Sequence, residues 1–287
     1  MLVLVGYIVV IGCVFGGYAL MGGHFGVLFQ PIELLMIGGS ALGAFIAGNN
    51  GKTIKATIKE LPLLLRSSKH NRQLYMDLMA LLYELLAKAR KEGMMKLESD
   101  VENPAQSEIF SRYPNILGHE GITVFLSDYL RLVISGNTDA HEIEALMDHE
   151  IETIRHEAMV PGHSLARVGD ALPALGIVAA VMGVVHALAS ANLPPSEMGA
   201  LIAHAMVGTF LGVLLAYGFV SPLASLIEQK VEESMKIYQC AKVTLLANLN
   251  GYAPQLAVEF GRKVLFSTER PSFTELDAHV REVKAAK

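Results

Sequence analysis

A few polar side chains set inside apolar sequence are the residues of this chain best placed to do chemistry. Thr209 and Tyr217 carry hydroxyls about two helical turns apart in one apolar run. Pro173 and Pro222 lie near the ends of two such runs, where each removes a helix hydrogen bond and can create a hinge. His24, His186 and His204 have side chains able to relay protons near neutral pH. Each also has a plain structural reading, in which the hydroxyls bond back to their own helix, the prolines kink it and the histidines sit at an interface. A second group is more conspicuous. His119, His141, His149 and His156 mix with Glu120, Glu142, Glu150 and Glu157, a composition that invites a metal ion. None falls in a His-Glu-x-x-His pattern or another compact ligand spacing, so solvated helix faces account for them. There is no phosphate loop, no Gly-x-Ser-x-Gly elbow and no Cys–His pair suited to nucleophilic attack. No enzyme, resident cofactor or metal is expected.

The elements that hold these residues follow from the distribution of charge. All 23 lysines and arginines fall within residues 52–167 and 230–287, and residues 1–51 and 168–229 have none. The chain is 52% apolar, with mean hydropathy +0.40, too apolar for an ordinary soluble protein. A helix crossing a bilayer core of about 30 Å needs roughly 20 mostly apolar residues. Four stretches qualify, at about 2–22, 32–50, 171–191 and 199–221. The first lacks a basic leader and runs through an uncharged link into the second, so it is expected to be an uncleaved anchor and not a secretory signal.

Lys52, Lys55, Lys59, Arg66, Lys69 and Arg72 follow the second span, whereas the links 23–31 and 192–198 carry no basic residue. The positive-inside rule then places 52–167 and the 222–287 tail in the cytoplasm, with both short links outside and both termini inside. Cys13 and Cys240 fall in different compartments, which excludes a disulfide framework.

The expected fold is all-α: a four-span polytopic membrane protein with a helical cytoplasmic domain. Its divisions are 1–51 for spans one and two, 52–170 for that domain, 171–221 for spans three and four, and 222–287 for a helical tail. Within 52–167 the charge is mixed, as in a soluble domain and unlike a nucleic-acid patch. Leu74, Leu78, Leu81, Leu82, Leu85, Leu86 and Ala89 recur at helical spacing over 72–92, and Gly93 stops that helix. Residues 94–101 add a short helix, and Pro104, Pro114 and Gly118 mark a loop-rich connection. Amphipathic runs cover 119–135, with a break at Ser135-Gly136-Asn137, and 139–158, which leads through Pro161-Gly162 into span three. Span four continues as a helix to Asn250-Gly251, and the last 20 residues are expected to fray.

The spans contain no mid-depth acid or base. Glu33 stands at the start of span two, Asp170 just before span three, and Glu197 in an outer link. Ion-coupled membrane proteins normally keep a buried ionisable group, because such a group is costly in lipid and retained for use. This chain therefore either does not handle ions or borrows the titrating group from a partner. Gly12/Gly16, Gly39/Gly43 and Gly208/Gly212, each four residues apart, favour close helix contacts.

Residues 85–98, Leu-Leu-Ala-Lys-Ala-Arg-Lys-Glu-Gly-Met-Met-Lys-Leu-Glu, resemble a signature of the MotA/TolQ/ExbB superfamily. So do residues 173–183, Pro-Ala-Leu-Gly-Ile-Val-Ala-Ala-Val-Met-Gly. Four spans with a large loop between the second and third are similar to the MotA type, the flagellar stator, whereas the TolQ and ExbB types have three. The resemblance implies a proton-conducting stator of the bacterial inner membrane. Several copies of the chain, a pentamer, would surround a MotB dimer that supplies the essential membrane aspartate. It also implies residue roles. Pro173 and Pro222 match prolines that couple ion passage to movement of the cytoplasmic part. Thr209 matches a hydroxyl lining the path beside the partner's aspartate, and Tyr217 is a further candidate. Arg90 and Glu98 match charges that engage the rotor protein FliG. Ala180 stands where sodium-driven relatives tend to carry a threonine, and an alanine cannot ligate sodium, so protons are the expected coupling ion. Two other readings stay open: a TolQ/ExbB-type energy-transducing subunit, and a membrane scaffold without ion flux.

Overall fold

The computed structural model describes residues 2–64, 71–136, 139–190 and 192–285. Arg66, Lys69, Asn137 and Ala191, which the sequence reading uses for topology and boundaries, lie outside the described residues. Every regular element among those described is helical. In chain order the α-helices are α1 Leu2–Leu20, α2 Phe25–Leu28, α3 Pro31–Ala47, α4 Gly51–Leu64, α5 Arg72–Glu92, α6 Glu98–Glu102 and α7 Pro114–Leu117. There follow α8 Glu120–Ser135, α9 Ala140–Ala189, α10 Pro195–Val213, α11 Ser221–Leu249, α12 Pro254–Lys263 and α13 Phe273–Ala285. A π-helical segment, Leu214–Val220, joins α10 to α11. Four stretches are long and apolar enough to cross a membrane: Leu2–Leu20, Phe25–Ala47, Ala140–Ala189 and Pro195–Leu249.

The chain divides into two compact units, Met1–Ser67 with Ala158–Gln229 and Ser68–Glu157 with Lys230–Lys287. The sequence divisions at 51, 170 and 221 fall elsewhere, because α4 belongs with the spans and because α9 and α11 each continue from one unit into the other.

In the first unit the buried cluster is small: Ile37, Ala41, Leu172, Ala179 and Ala216, with Met36, Leu175, Leu211 and Leu215 packed against it. Large apolar side chains such as Ile8, Leu35, Leu42, Val181, Val185 and Met206 point outward. That inversion of the usual pattern suits a surface met by lipid tails or by other apolar helices. Where α9 meets α10 the backbones touch. A Cβ on Gly176 would lie 2.7 Å from the Gly208 carbonyl oxygen, and one on Gly212 would lie 2.6 Å from the Leu172 carbonyl oxygen. Gly208 and Gly212 thus make the close contacts expected of small residues in spans. Gly12, Gly16 and Gly43 have nothing within 4 Å, and Gly39 meets only Leu35 of its own helix.

The second unit is built around α5. Asn71 caps its start by accepting from the Leu74 amide, Arg90 and Lys91 occupy its last turn, and Gly93 ends it at φ 94°. Leu78, Leu81, Leu82 and Leu85 are fully buried, and Phe125 and Tyr129 of α8 complete the same core. Three buried acids tie the irregular connection 98–118 to α5. Glu84 accepts from Arg112 at 2.8 Å and Tyr113 at 2.9 Å, Asp77 from Asn115 at 2.7 Å, and Asp100 from Lys88 and Ser107 at 2.6 Å. Buried charge is tolerated there because each carboxylate is paired or hydrogen-bonded.

The run 139–158 does lead through Pro161 into the third span, as one 50-residue helix in which the loss of one helix bond is outweighed by the rest. One expectation changes. Part of the C-terminal stretch is ordered: α13 buries Leu276 and Val280, and Glu275 pairs with Arg72 at the start of α5.

Candidate ion path and charged surface

Ala180 and Gly208 are in direct backbone contact, which sets the level of the candidate ion path. A Cβ on Gly208 would lie 3.1 Å from the Ala180 amide nitrogen and 3.2 Å from the Ala179 Cβ. Thr209, the next residue, is exposed on the outward face of α10. Ala180 and Thr209 are therefore level with each other at one packed crossing of two helices. Pro173 is seven residues before Ala180, about 10 Å along α9, beside the contact between Leu172 and Gly212. Pro222 is the second residue of α11, exposed, directly after the π-helical segment. Tyr217 lies within that segment with 64% of its surface exposed. The fold gathers Ala180 and Thr209, and it spaces the prolines and Tyr217 along the helices away from that level.

π-helical turns widen a helix by one residue and commonly mark functional positions. Here the widening precedes a proline, so the change in bonding register and the missing amide fall together.

Sequence reasoning missed a carboxylate at this level. Glu33 sits in the first turn of α3, as its position suggested, but its side chain is 93% buried by the adjacent spans, being only 7% exposed. Its Oε2 lies 2.8 Å, and its Oε1 3.5 Å, from the positions that Cβ atoms on Gly208 and Gly183 would take. Oε2 has no hydrogen-bond partner. The expectation that the spans hold no acid at mid-depth is corrected: the backbone of Glu33 is terminal, and its carboxylate is buried against α9 and α10. A signal was available. Glu33, Ile37 and Ala41 recur every four residues and form the buried stripe of α3.

In the other unit Arg90 and Glu98 are exposed. Arg90 is in the last turn of α5 and Glu98 opens α6, with the intervening turn anchored by the fully buried Leu97. Arg90 and Lys91 line a shallow groove with Tyr83, Ala253 and Pro254. The histidines and glutamates of 119–157 are dispersed. His119 caps α8 through the Ile122 amide, while His141, His149 and His156 are exposed along α9. Tyr129 donates to Glu150 at 2.7 Å. Among the described residues no group of three or more His, Cys, Asp or Glu side chains could hold a metal ion.

Residues 4–93 match the family model for the motility protein A N-terminal region, and residues 119–240 match that for the MotA/TolQ/ExbB proton channel family. The chain is 66% identical over 284 residues to motility protein A of Salmonella typhimurium strain LT2, covering 99% of this chain and 96% of that one. It belongs to the MotA/TolQ/ExbB proton channel family. Against motility protein A of Escherichia coli strain K12 it is 64% identical with the same coverage. The flagellar MotAB stator complex from Bacillus subtilis has a chain that superposes with a TM-score of 0.73 at 25% identity, over 96% of this chain and 98% of its own. The second signature run, 173–183, lies within the second family region, and the first, 85–98, begins within the first region and runs past its end. The four apolar helices agree with a channel-family membrane protein.

Proposed function

We propose that this chain is the channel-forming stator subunit of a bacterial flagellar motor, which joins a MotB-type partner to convert proton flow into torque. The observation that carries the reading is the 66% identity to motility protein A along almost the whole chain. In this reading the chain lies in the inner membrane with both termini in the cytoplasm, and copies of it, five by family resemblance, surround two partner helices. The partner's aspartate takes up a proton beside Thr209. Ala180 offers no oxygen to a sodium ion, which favours protons. Pro173 and Pro222 let the helices change shape as the proton moves on, with Tyr217 on the same stretch of span four. Arg90 and Glu98 then act on oppositely charged groups of FliG. Exposed pairs contribute only about 0–1 kcal/mol each, which suits repeated, reversible engagement.

Expression of the chain with the partner in a strain lacking its own stators tests this. Swimming should be restored, and Pro173→Ala should abolish it at normal protein level; unimpaired swimming of that variant would remove the coupling role. A MotB-type partner with its plug deleted should make cells leak protons, and absence of a leak would favour a non-conducting scaffold.

A further inference from the structure

The seat of Glu33 is built at a glycine contact between two other helices. Gly183 is six residues from the Ala189 end of α9, and Gly208 is thirteen residues from the Pro195 start of α10, roughly 9 and 20 Å along them. The carboxylate therefore lies inside the span packing between Gly208 and Gly183, up to about one turn from Ala180 towards the Ala189 end of α9. The missing side chains at Gly183 and Gly208 leave the room it occupies. A methyl on Gly208 would fall 2.8 Å from Oε2.

Nothing nearby neutralises the carboxylate with a fixed charge. Residues 1–51 and 168–229 contain no lysine or arginine. From α9 the nearest titratable group is His186, exposed and three residues beyond Gly183. From α10 it is His204, partly buried and four residues before Gly208, with the exposed Glu197 farther towards the helix start. α3 has no other ionisable residue. A buried, unpaired carboxylate in an apolar bundle costs several kcal/mol as an ion, and a proton is the cheapest way to neutralise it.

We propose that Glu33 is a second proton-accepting station of the ion path, supplied by this chain and placed before the partner's carboxylate. The inference rests on the stator reading and deepens it. The backbone of Glu33 enters from the end of the spans opposite Pro173 and Pro222, the end which that reading places outside. A Glu33 oxygen binds a proton delivered by outer water, and the O–H bond breaks when the proton passes, directly or through water, to the partner's aspartate. The glutamate returns to its anionic form, and no electron transfer is involved.

The test uses the full chain co-expressed with the plug-deleted partner, measuring proton flux against external pH at matched membrane protein. Glu33→Gln is expected to cut flux by about tenfold or more, towards the ~100-fold scale of losing a positioned proton-transfer group, and to flatten the pH profile. Glu33→Asp should keep more than half the flux and shift the profile. Flux of Glu33→Gln within about twofold of wild type with an unchanged profile would overturn the proposal. If the glutamine variant does not accumulate, an unshifted profile for Glu33→Asp overturns it equally. Failure of the wild-type pair to conduct would instead count against the stator reading.

Discussion

Tyr7 of α1 donates a hydrogen bond of 2.9 Å to the Phe219 carbonyl, and the two rings pack with centroids 4.9 Å apart. The acceptor lies in the π-helical segment, three residues before Pro222. The first span is thereby fastened to the place where the fourth changes its bonding register. Tyr7→Phe keeps the ring contact and removes the bond. Side-chain hydrogen bonds between spans average about 0.6 kcal/mol and reach about 1.7. A destabilisation in that range is expected from denaturant titration in detergent, with a larger loss for Tyr7→Ala.

Gly212→Ala forces a methyl to within 2.6 Å of the Leu172 carbonyl oxygen, a backbone atom that cannot swing aside. Overpacking of this kind costs about 1–3 kcal/mol, to be read as a lower melting point of the purified chain. Gly12→Ala meets nothing within 4 Å and should leave the isolated chain unchanged. A loss confined to the assembled complex would place Gly12 against a neighbouring helix.

Arg90→Glu and Glu98→Lys alter exposed charges at the end of one helix and the start of the next. Each should reduce swimming strongly while changing stability by no more than about 0.5 kcal/mol. Melting curves and membrane levels equal to wild type, together with lost torque, would separate a surface role from a folding defect. Full torque in both variants would remove these residues from the rotor contact.

Tyr113 makes the second unit sensitive to alkali. Burial, reinforced by the Glu84 carboxylate it donates to, raises the ionisation of its phenol above the ordinary tyrosine range. A raised folded value means the contribution is intact below the unfolded value of about 10 and is lost as pH rises through the folded one. Tyr113→Phe removes one of the bonds to the buried Glu84 and should cost about 1–3 kcal/mol at neutral pH. Its urea midpoint should also fall less steeply than that of wild type between about pH 9 and 11. Equal slopes would show that Tyr113 is not the group responsible.

The span pattern, the all-α class, the ends of α5 and the exposure of Arg90 and Glu98 were legible in the sequence. Each rests on local physics: an unbroken apolar run, an asparagine cap, a glycine stop, or charges beyond an amphipathic face. Tertiary structure alone decided where side chains from distant segments meet. Nothing in the local sequence singles out Gly176 and Gly183, whose close contacts exist only because α9 packs on α10. Leu276 and Val280 fall in a stretch expected to fray that instead docks on α5 as α13. Glu33 is the clearest case. Its sequence position marks the start of a span, which is where an acid belongs in a membrane helix. Its burial depends on two glycines, 150 and 175 residues away, that leave a gap of its size. Hydrophobicity and helix period are properties of contiguous residues, and they determined the elements. The environment of a carboxylate is set by whatever packs around it, and only the fold could supply that.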